Sequence, residues 1–197
     1  MYFSALAILA TCLFLNLVHG HEVYSPSDIR CPKGSLNIFV HNSYTYLAPL
    51  DEFTDVTGSF FNLTWYANTP VNETTGEDNV PGATRSGPWL GGIFHEVLTA
   101  ITAHPDDKFE YTYQGEPATF NGVDFEGYVE TLRFESICGG KATYIDVLTY
   151  ACSRQQIVAY SDWYGLHDSA FPSLAASVGA RIFNGDCSDI LVLAAVS

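Results

Sequence analysis

Basic residues are scarce. Lys and Arg number 8 against 22 Asp and Glu, for a formal net charge of −14 over 197 residues. A phosphate backbone is held by clustered Lys and Arg, so nucleic acid is excluded as a partner and docking on anionic lipid is disfavoured. Catalytic signatures are missing too: the chain has no GxSxG elbow, HExxH, P-loop or GxGxxG. The one extended apolar run lies at the N-terminus. The C-terminal run Ile190–Val196 is too short to span a bilayer and reads as a strand or a packed end, so no stable membrane anchor is expected. Charged residues are only 15% and hydrophobic ones 47%, which excludes a disordered chain and suffices for one core. That core is aromatic in character, with 12 Tyr and 13 Phe for one Met.

Residues 4–18, SALAILATCLFLNLV, are followed by Val18-His19-Gly20. A short apolar segment with small residues at −3 and −1 of a cut after Gly20 reads as a secretory signal peptide over 1–20. Cys12 leaves with it. Cys31, Cys138, Cys152 and Cys187 remain, an even number with no CxxC pair, as expected for an oxidising compartment. Asn62-Leu63-Thr64 and Asn72-Glu73-Thr74 are N-glycosylation sequons, which agree with export. The chain is therefore expected to be secreted. Cleavage would leave His21 first, as in the copper brace of lytic polysaccharide monooxygenases, but nothing else in the chain resembles those proteins, so copper is not expected to bind there. Asn68–Pro88 reads as a long exposed loop with a short strand near Ala83–Ser86, and its Glu73–Asn79 patch as a solvated surface rather than a calcium site. No metal and no cofactor are expected.

Most remaining apolar runs read as strands: Leu36–Thr45, Phe60–Tyr66, Gly92–Thr102, the alternating Phe109–Gln114, Glu126–Cys138 and Lys141–Cys152. Pro49–Val56 fits one or two helical turns. Gly139-Gly140 is a two-residue hairpin signal. In that register Arg133 sits opposite Asp146, and one face carries Tyr128, Leu132, Phe134, Ile145 and Val147, so the pairing is self-consistent. Asp168 fits as the N-cap of a helix whose face carries Phe171, Leu174, Ala175, Val178 and Ile182, with Pro172 in its first turn. Ser161–His167 reads as a separate turn before it.

The order of elements resembles the START/Bet v 1-like (SRPBCC) polyketide cyclase and lipid-transfer superfamily. Ala48-Pro49-Leu50-Asp51-Glu52-Phe53 is similar to its "aPld-vw" segment, Gly82-Ala83-Thr84-Arg85 to its "G-x-x-R" strand, and Glu96-Val97-Leu98 to its "E-x-L". Gly139-Gly140-Lys141-Ala142-Thr143 is similar to its "gg-T" hairpin. The resemblance runs from about Leu36 to Phe183. It implies an α+β helix-grip fold, a curved antiparallel sheet of about seven strands wrapped on a long C-terminal helix. The domain would cover 36–183, between an extension at 21–35 and a tail at 184–197. It also implies the pairings Cys31–Cys152 and Cys138–Cys187, since the first strand lies beside the last and the helix exit returns to the hairpin turn.

The same fold implies an apolar cavity between sheet and helix. Phe109, Tyr111, Tyr113, Tyr128, Phe134, Trp163 and Phe171 are the candidate contacts for a small hydrophobic molecule, each of them equally suited to a packed core. By the alternation of Phe94, Glu96 and Leu98, Glu96 faces that cavity, where burial would raise its pKa and suit it to acid–base chemistry. Arg85 on the neighbouring strand can pair with it structurally, and His167 can sit at the cavity mouth or on the surface. The leading expectation is a secreted binder or carrier of a small hydrophobic ligand. The alternatives are a cyclase or lyase acting on a polyketide- or terpenoid-like substrate in the same cavity, and an extracellular interaction protein with no ligand.

Overall fold

The computed structural model describes residues 29–194; the expected signal segment 1–20 and His21 lie outside the described residues. The strands are β1 (Leu36–Leu47), β2 (Glu73–Thr75), β3 (Thr84–Trp89), β4 (Gly92–His104), β5 (Lys108–Gly115), β6 (Ala118–Phe120), β7 (Val123–Ile137), β8 (Ala142–Ser153) and β9 (Arg181–Ile182). The helices are α1 (Leu50–Thr57), α2 (Gln156–Ser177) and α3 (Cys187–Ala194). All nine strands form one antiparallel sheet in the order β2-β3-β4-β5-β7-β8-β1-β9, with β6 paired to β7. The sheet curves around α2, which gives the expected α+β helix-grip architecture. Six of the seven expected strands are present among the described residues, and the other three, β2, β6 and β9, are pieces of two or three residues, too short to leave a periodic signal.

The β7–β8 hairpin has the expected register, with Arg133 opposite Asp146 and Phe134 opposite Ile145. Its turn is longer than two residues. Ile137 and Ala142 close it, and Cys138, Gly139 and Gly140 all adopt positive φ, so Cys138 lies in the turn rather than in the strand. From there Cys138 is bridged to Cys187, while Cys31 is bridged to Cys152. The bridges tie α3 to the hairpin tip and the entry of β1 to the end of β8. Ile190 in α3 is buried, so this end of the chain packs as a helix, not as a strand.

Two expectations fail. Phe60–Tyr66 is not a strand but part of three successive turns, closed by Asn62 N–H to Ser59 O, Tyr66 N–H to Leu63 O and Thr69 N–H to Tyr66 O. Turning in this way lets Phe60, Leu63, Trp65 and Tyr66 all point into the core, where a strand would have sent alternate residues outward. The long helix begins at Gln156, so Asp168 is no N-cap, Ser161–His167 is no separate turn, and Pro172 lies in the helix interior. Val178 is the C-cap residue and Ile182 an exposed member of β9, off the expected helical face. The outer face of α2 carries exposed Ile157, Val158, Tyr160 and Tyr164, so its apolar residues run all round and give no amphipathic period to mark its start.

Candidate functional site

On β1, β3, β4 and β7 a polar residue interrupts the apolar inner face. Arg85 follows Ala83 on the inner face of β3, Glu96 lies between Phe94 and Leu98 on β4, Glu130 between Tyr128 and Leu132 on β7, and Asn42 between Val40 and Tyr44 on β1. The sheet register places these interruptions in three adjacent cross-strand rows. Arg85 is directly opposite Glu96, and Tyr113 and Thr149 flank Glu130.

Two clusters result. In the first, Arg85 Nε donates to Glu96 Oε2 at 2.6 Å, and the Tyr128 hydroxyl donates to Glu96 Oε1 at 2.6 Å. Arg85 Nη1 donates to Phe60 O, and the guanidinium lies 4.2 Å over the Phe60 ring and 4.8 Å over that of Tyr113. Tyr128 reaches Glu96 across Gly115, which pairs with both residues; a Cβ there would come within 2.0 Å of the Tyr128 ring. Burial raises the Glu96 carboxyl above its ordinary range, and the Arg85 charge and the hydrogen bonds from Tyr128 and Arg85 offset only part of that.

In the second cluster, Glu130 is fully buried and accepts from four groups. Tyr113 donates to Oε1; Thr149 at 2.6 Å, Trp163 Nε1 at 2.7 Å and His167 Nε2 at 3.0 Å share Oε2. The other His167 ring nitrogen lies 2.8 Å from Asn42 Oδ1. Burial pushes the Glu130 carboxyl up, but the His167 charge and the hydrogen bonds from His167, Thr149 and Tyr113 outweigh it and lower the pKa to about 2. His167 therefore lies in the core, not on the surface or at a cavity mouth, because α2 starts early enough to carry it beneath the sheet.

The seven aromatic candidates are all buried in one core cluster. Phe109, Tyr111, Phe134 and Phe171 are covered by other rings: Phe53 on Phe134, Phe60 on Tyr111, Trp65 on Phe171. Among the described residues, rings from the Ser59–Thr69 turns thus pack against these candidates, where the resemblance implies a cavity. Tyr113, Tyr128 and Trp163 instead line a crevice between the Leu63–Thr69 turns, α2 and β3–β4, together with Tyr66, Trp89, Phe94 and Glu96. Its free volume is about 20 Å³, room for one water-sized group. A broader hollow of about 380 Å³ lies on the opposite face of β2–β5, lined by Glu73, His95, Gln114 and Glu116 among others.

Asn72 is exposed beside β2, whereas Asn62 is half-buried with its Nδ2 donating to Val56 O. Asp78 accepts from the Ser59 hydroxyl and the Phe61 N–H, and Asn79 Oδ1 from the Phe60 N–H, which clamps the Ser59–Phe61 segment. Among the described residues no three His, Cys, Asp or Glu converge as a metal site. Glu130, Asn42 and Thr149 were not among the expected site residues, although each is a polar residue at an inward position of an otherwise apolar alternation.

No family model matches the chain, and no curated protein matches it in sequence. Solved structures do. Norcoclaurine synthase from Thalictrum flavum, in complex with dopamine and hydroxybenzaldehyde, superposes with a TM-score of 0.52 at 12% identity, over 74% of this chain and 88% of that one. A hypothetical protein from Helicobacter pylori gives 0.56 at 11% identity, over 76% and 95%. An uncharacterised protein from Bacillus thuringiensis gives 0.54 at 14% identity, over 71% and 98%. The chain has a Bet v 1-like fold. At these identities the likeness carries the fold alone.

Proposed function

We propose that the protein is a secreted binder of a small, largely apolar molecule, held between sheet and long helix at the Glu96 crevice. The observation that carries this reading is the crevice itself. Aromatic rings surround a buried carboxylate that has spare hydrogen-bonding capacity, where the turns over the interior leave a gap. Norcoclaurine synthase, of the same fold, is described with two small aromatic molecules bound. Two bridged cysteine pairs, the N-terminal apolar run and the sequons support export. Ligand entry requires the Leu63–Thr69 turns to shift, because the gap accepts only a water-sized group as it stands.

A cyclase or lyase is the second reading, favoured by the raised Glu96 carboxyl beside the Tyr128 hydroxyl, a pair suited to moving a proton. The filled interior favours the third, an interaction protein with no ligand. Native mass spectrometry of protein collected from culture medium tests the binding reading. A small molecule released on unfolding supports it. Polypeptide and glycan mass alone, together with no thermal shift from a panel of small aromatic compounds, would reject it.

A further inference from the structure

The two edges of the sheet differ. The β2 edge has three residues, carries Glu73 and starts beside the Asn72 sequon, and short, charged edges resist pairing. The β1 edge carries no Lys, Pro or bulge. Along an antiparallel strand, the N–H and C=O of successive residues point to alternate sides. Phe183 N–H donates to Thr45 O on the β9 side, so the odd-numbered residues of β1 face away from β8. Gln156 Nε2 closes the other end by donating to Asn37 O at 2.8 Å. Between these closures lie Phe39, His41 and Ser43. Among the described residues no group pairs with the edge-facing N–H or C=O of these three.

The helix beside this edge has an uncovered flank as well. α2 runs along β1, with Gln156 at Asn37, His167 at Asn42 and Phe171 against Tyr44, so its segment 157–164 is level with the free run. Asp162 and Leu166 look toward the β3–β4 side, where they line the gaps beside Trp89. Ile157, Tyr160 and Tyr164 therefore lie on the opposite flank, past β1. They have the i, i+3, i+7 spacing of a two-helix seam and are 82%, 43% and 41% exposed.

We propose that the β1 edge is a self-pairing surface, on which a second copy of this chain adds its own β1 antiparallel about a two-fold axis at His41. His41 then faces His41 of the partner subunit, and Phe39 faces Ser43 of the partner subunit. Each copy supplies the N–H and C=O of Phe39, His41 and Ser43, so this register leaves none of the free groups unpaired. The two-fold keeps both α2 helices on one side of the joined sheet and turns their stripes toward each other. Charge and area favour a second copy as the occupant. Neither the free run nor the stripe contains Asp, Glu, Lys or Arg, in a chain of net charge −14, and the nearby Asp146 is held by His41 and Arg133. A basic partner finds no counter-charge there, whereas a second copy meets a neutral face. Taken at about 200 Å² per large side chain, the exposed fractions of Leu36, Phe39 and the three stripe residues amount to roughly 500 Å² per copy. Pairing then hides about 1,000 Å², the lower bound of a specific interface.

Sedimentation velocity and amide hydrogen exchange of the full secreted chain test this, at neutral pH in about 0.3 M NaCl to screen the like charge of the two copies. The expected result is a monomer–dimer equilibrium with a Kd of about 1–100 μM. The amides of Phe39, His41 and Ser43 should exchange at least about tenfold more slowly as dimer forms. Ser43→Pro removes an edge donor at an exposed position, where an edge strand tolerates proline, and should weaken the dimer at least about tenfold. Tyr160→Glu leaves the strand untouched, sets a carboxylate in the seam and should weaken it as much, which keeps the test decisive if the proline variant fails to fold. A chain that stays monomeric at about 200 μM overturns the proposal. So does a dimer whose three edge amides exchange as fast as in the monomer, or one that Tyr160→Glu does not weaken. Edge amides protected at monomer mass overturn it too, because the cover is then a segment of the same chain.

Discussion

Glu96 and Glu130 are both buried carboxylates on the inner face of one sheet, on strands separated by β5, yet they are treated oppositely. Glu130 accepts from Tyr113 on β5, Thr149 on β8, and Trp163 and His167 on α2, and its pKa falls to about 2. Glu96 accepts from Arg85 and Tyr128 only, and its pKa rises. The difference teaches that burial alone does not decide the state of a carboxyl; the number and charge of its donors do. A carboxylate saturated with donors is a structural joint between sheet and helix. One left unsaturated beside a gap retains capacity for a guest.

The largest expected effect comes from removing the saturated member. Glu130→Leu leaves the Trp163 N–H, the Thr149 and Tyr113 hydroxyls and His167 without their common acceptor, and should cost about 3–5 kcal/mol in urea unfolding. The paired change Arg85→Met with Glu96→Gln removes both charges of the other cluster and should stay within about 1 kcal/mol of wild type. Equal costs for the two variants would break the distinction between joint and site.

Acid separates them next. A carboxyl with a lower pKa folded than unfolded binds fewer protons when folded, so its stabilisation is complete above its unfolded value and is lost as pH falls through the folded one. The advantage of wild type over Glu130→Gln should therefore be full above about pH 4.5 and fade toward about pH 2, with a span of about 3 kcal/mol. Glu96, raised by burial, runs the other way: its ionisation costs stability as pH rises through the carboxylate range, so acidification removes no advantage of wild type over Glu96→Gln. Urea titrations of the three proteins across that range check both signs.

A smaller effect tests how the Glu96 cluster is assembled. Gly115→Ala places a Cβ within 2.0 Å of the Tyr128 ring and must displace it from Glu96. The expected cost is about 1–3 kcal/mol. The Glu130 cluster, which does not use Tyr128, should keep its acid profile.

Much of this arrangement could be read in the residues. Gly139-Gly140 set the hairpin register, from which the inward set Tyr128, Leu132 and Phe134 followed, and alternation placed Glu96 inward beside Arg85. What was missed has one physical root. The α2 helix is apolar on both faces and opens at Gln155 without a side-chain cap, so neither period nor cap announced its first three turns. Trp163 and His167 lie in those unannounced turns, and without them Glu130 had no visible partner and passed unnoticed among its neighbours. The turns over Ser59–Thr69 were hidden for a different reason. Their aromatic content suits a strand, and only the long-range clamp from Asp78 and Asn79 shows that the segment folds inward and fills the interior.

The smallest expected change is also the one that bears most directly on the open member of the pair. Tyr66 packs its ring on Phe171 and His167, and its hydroxyl is buried without a partner. Tyr66→Phe keeps the ring contacts and removes only that hydroxyl. A buried hydroxyl with no hydrogen bond costs about 1–3 kcal/mol, so its removal should leave the ligand-free protein unchanged or stabilise it by about 1 kcal/mol. A natural residue that costs stability where a better-packed one exists points to a use for the group that costs it, and here that group adjoins Glu96 and the gap. Thermal and urea unfolding of Tyr66→Phe check the sign. A loss of more than about 1 kcal/mol would mean that the hydroxyl already has a partner in solution, a fixed water being the candidate that fits the gap, and would place the Glu96 cluster alongside Glu130 as a closed structural joint.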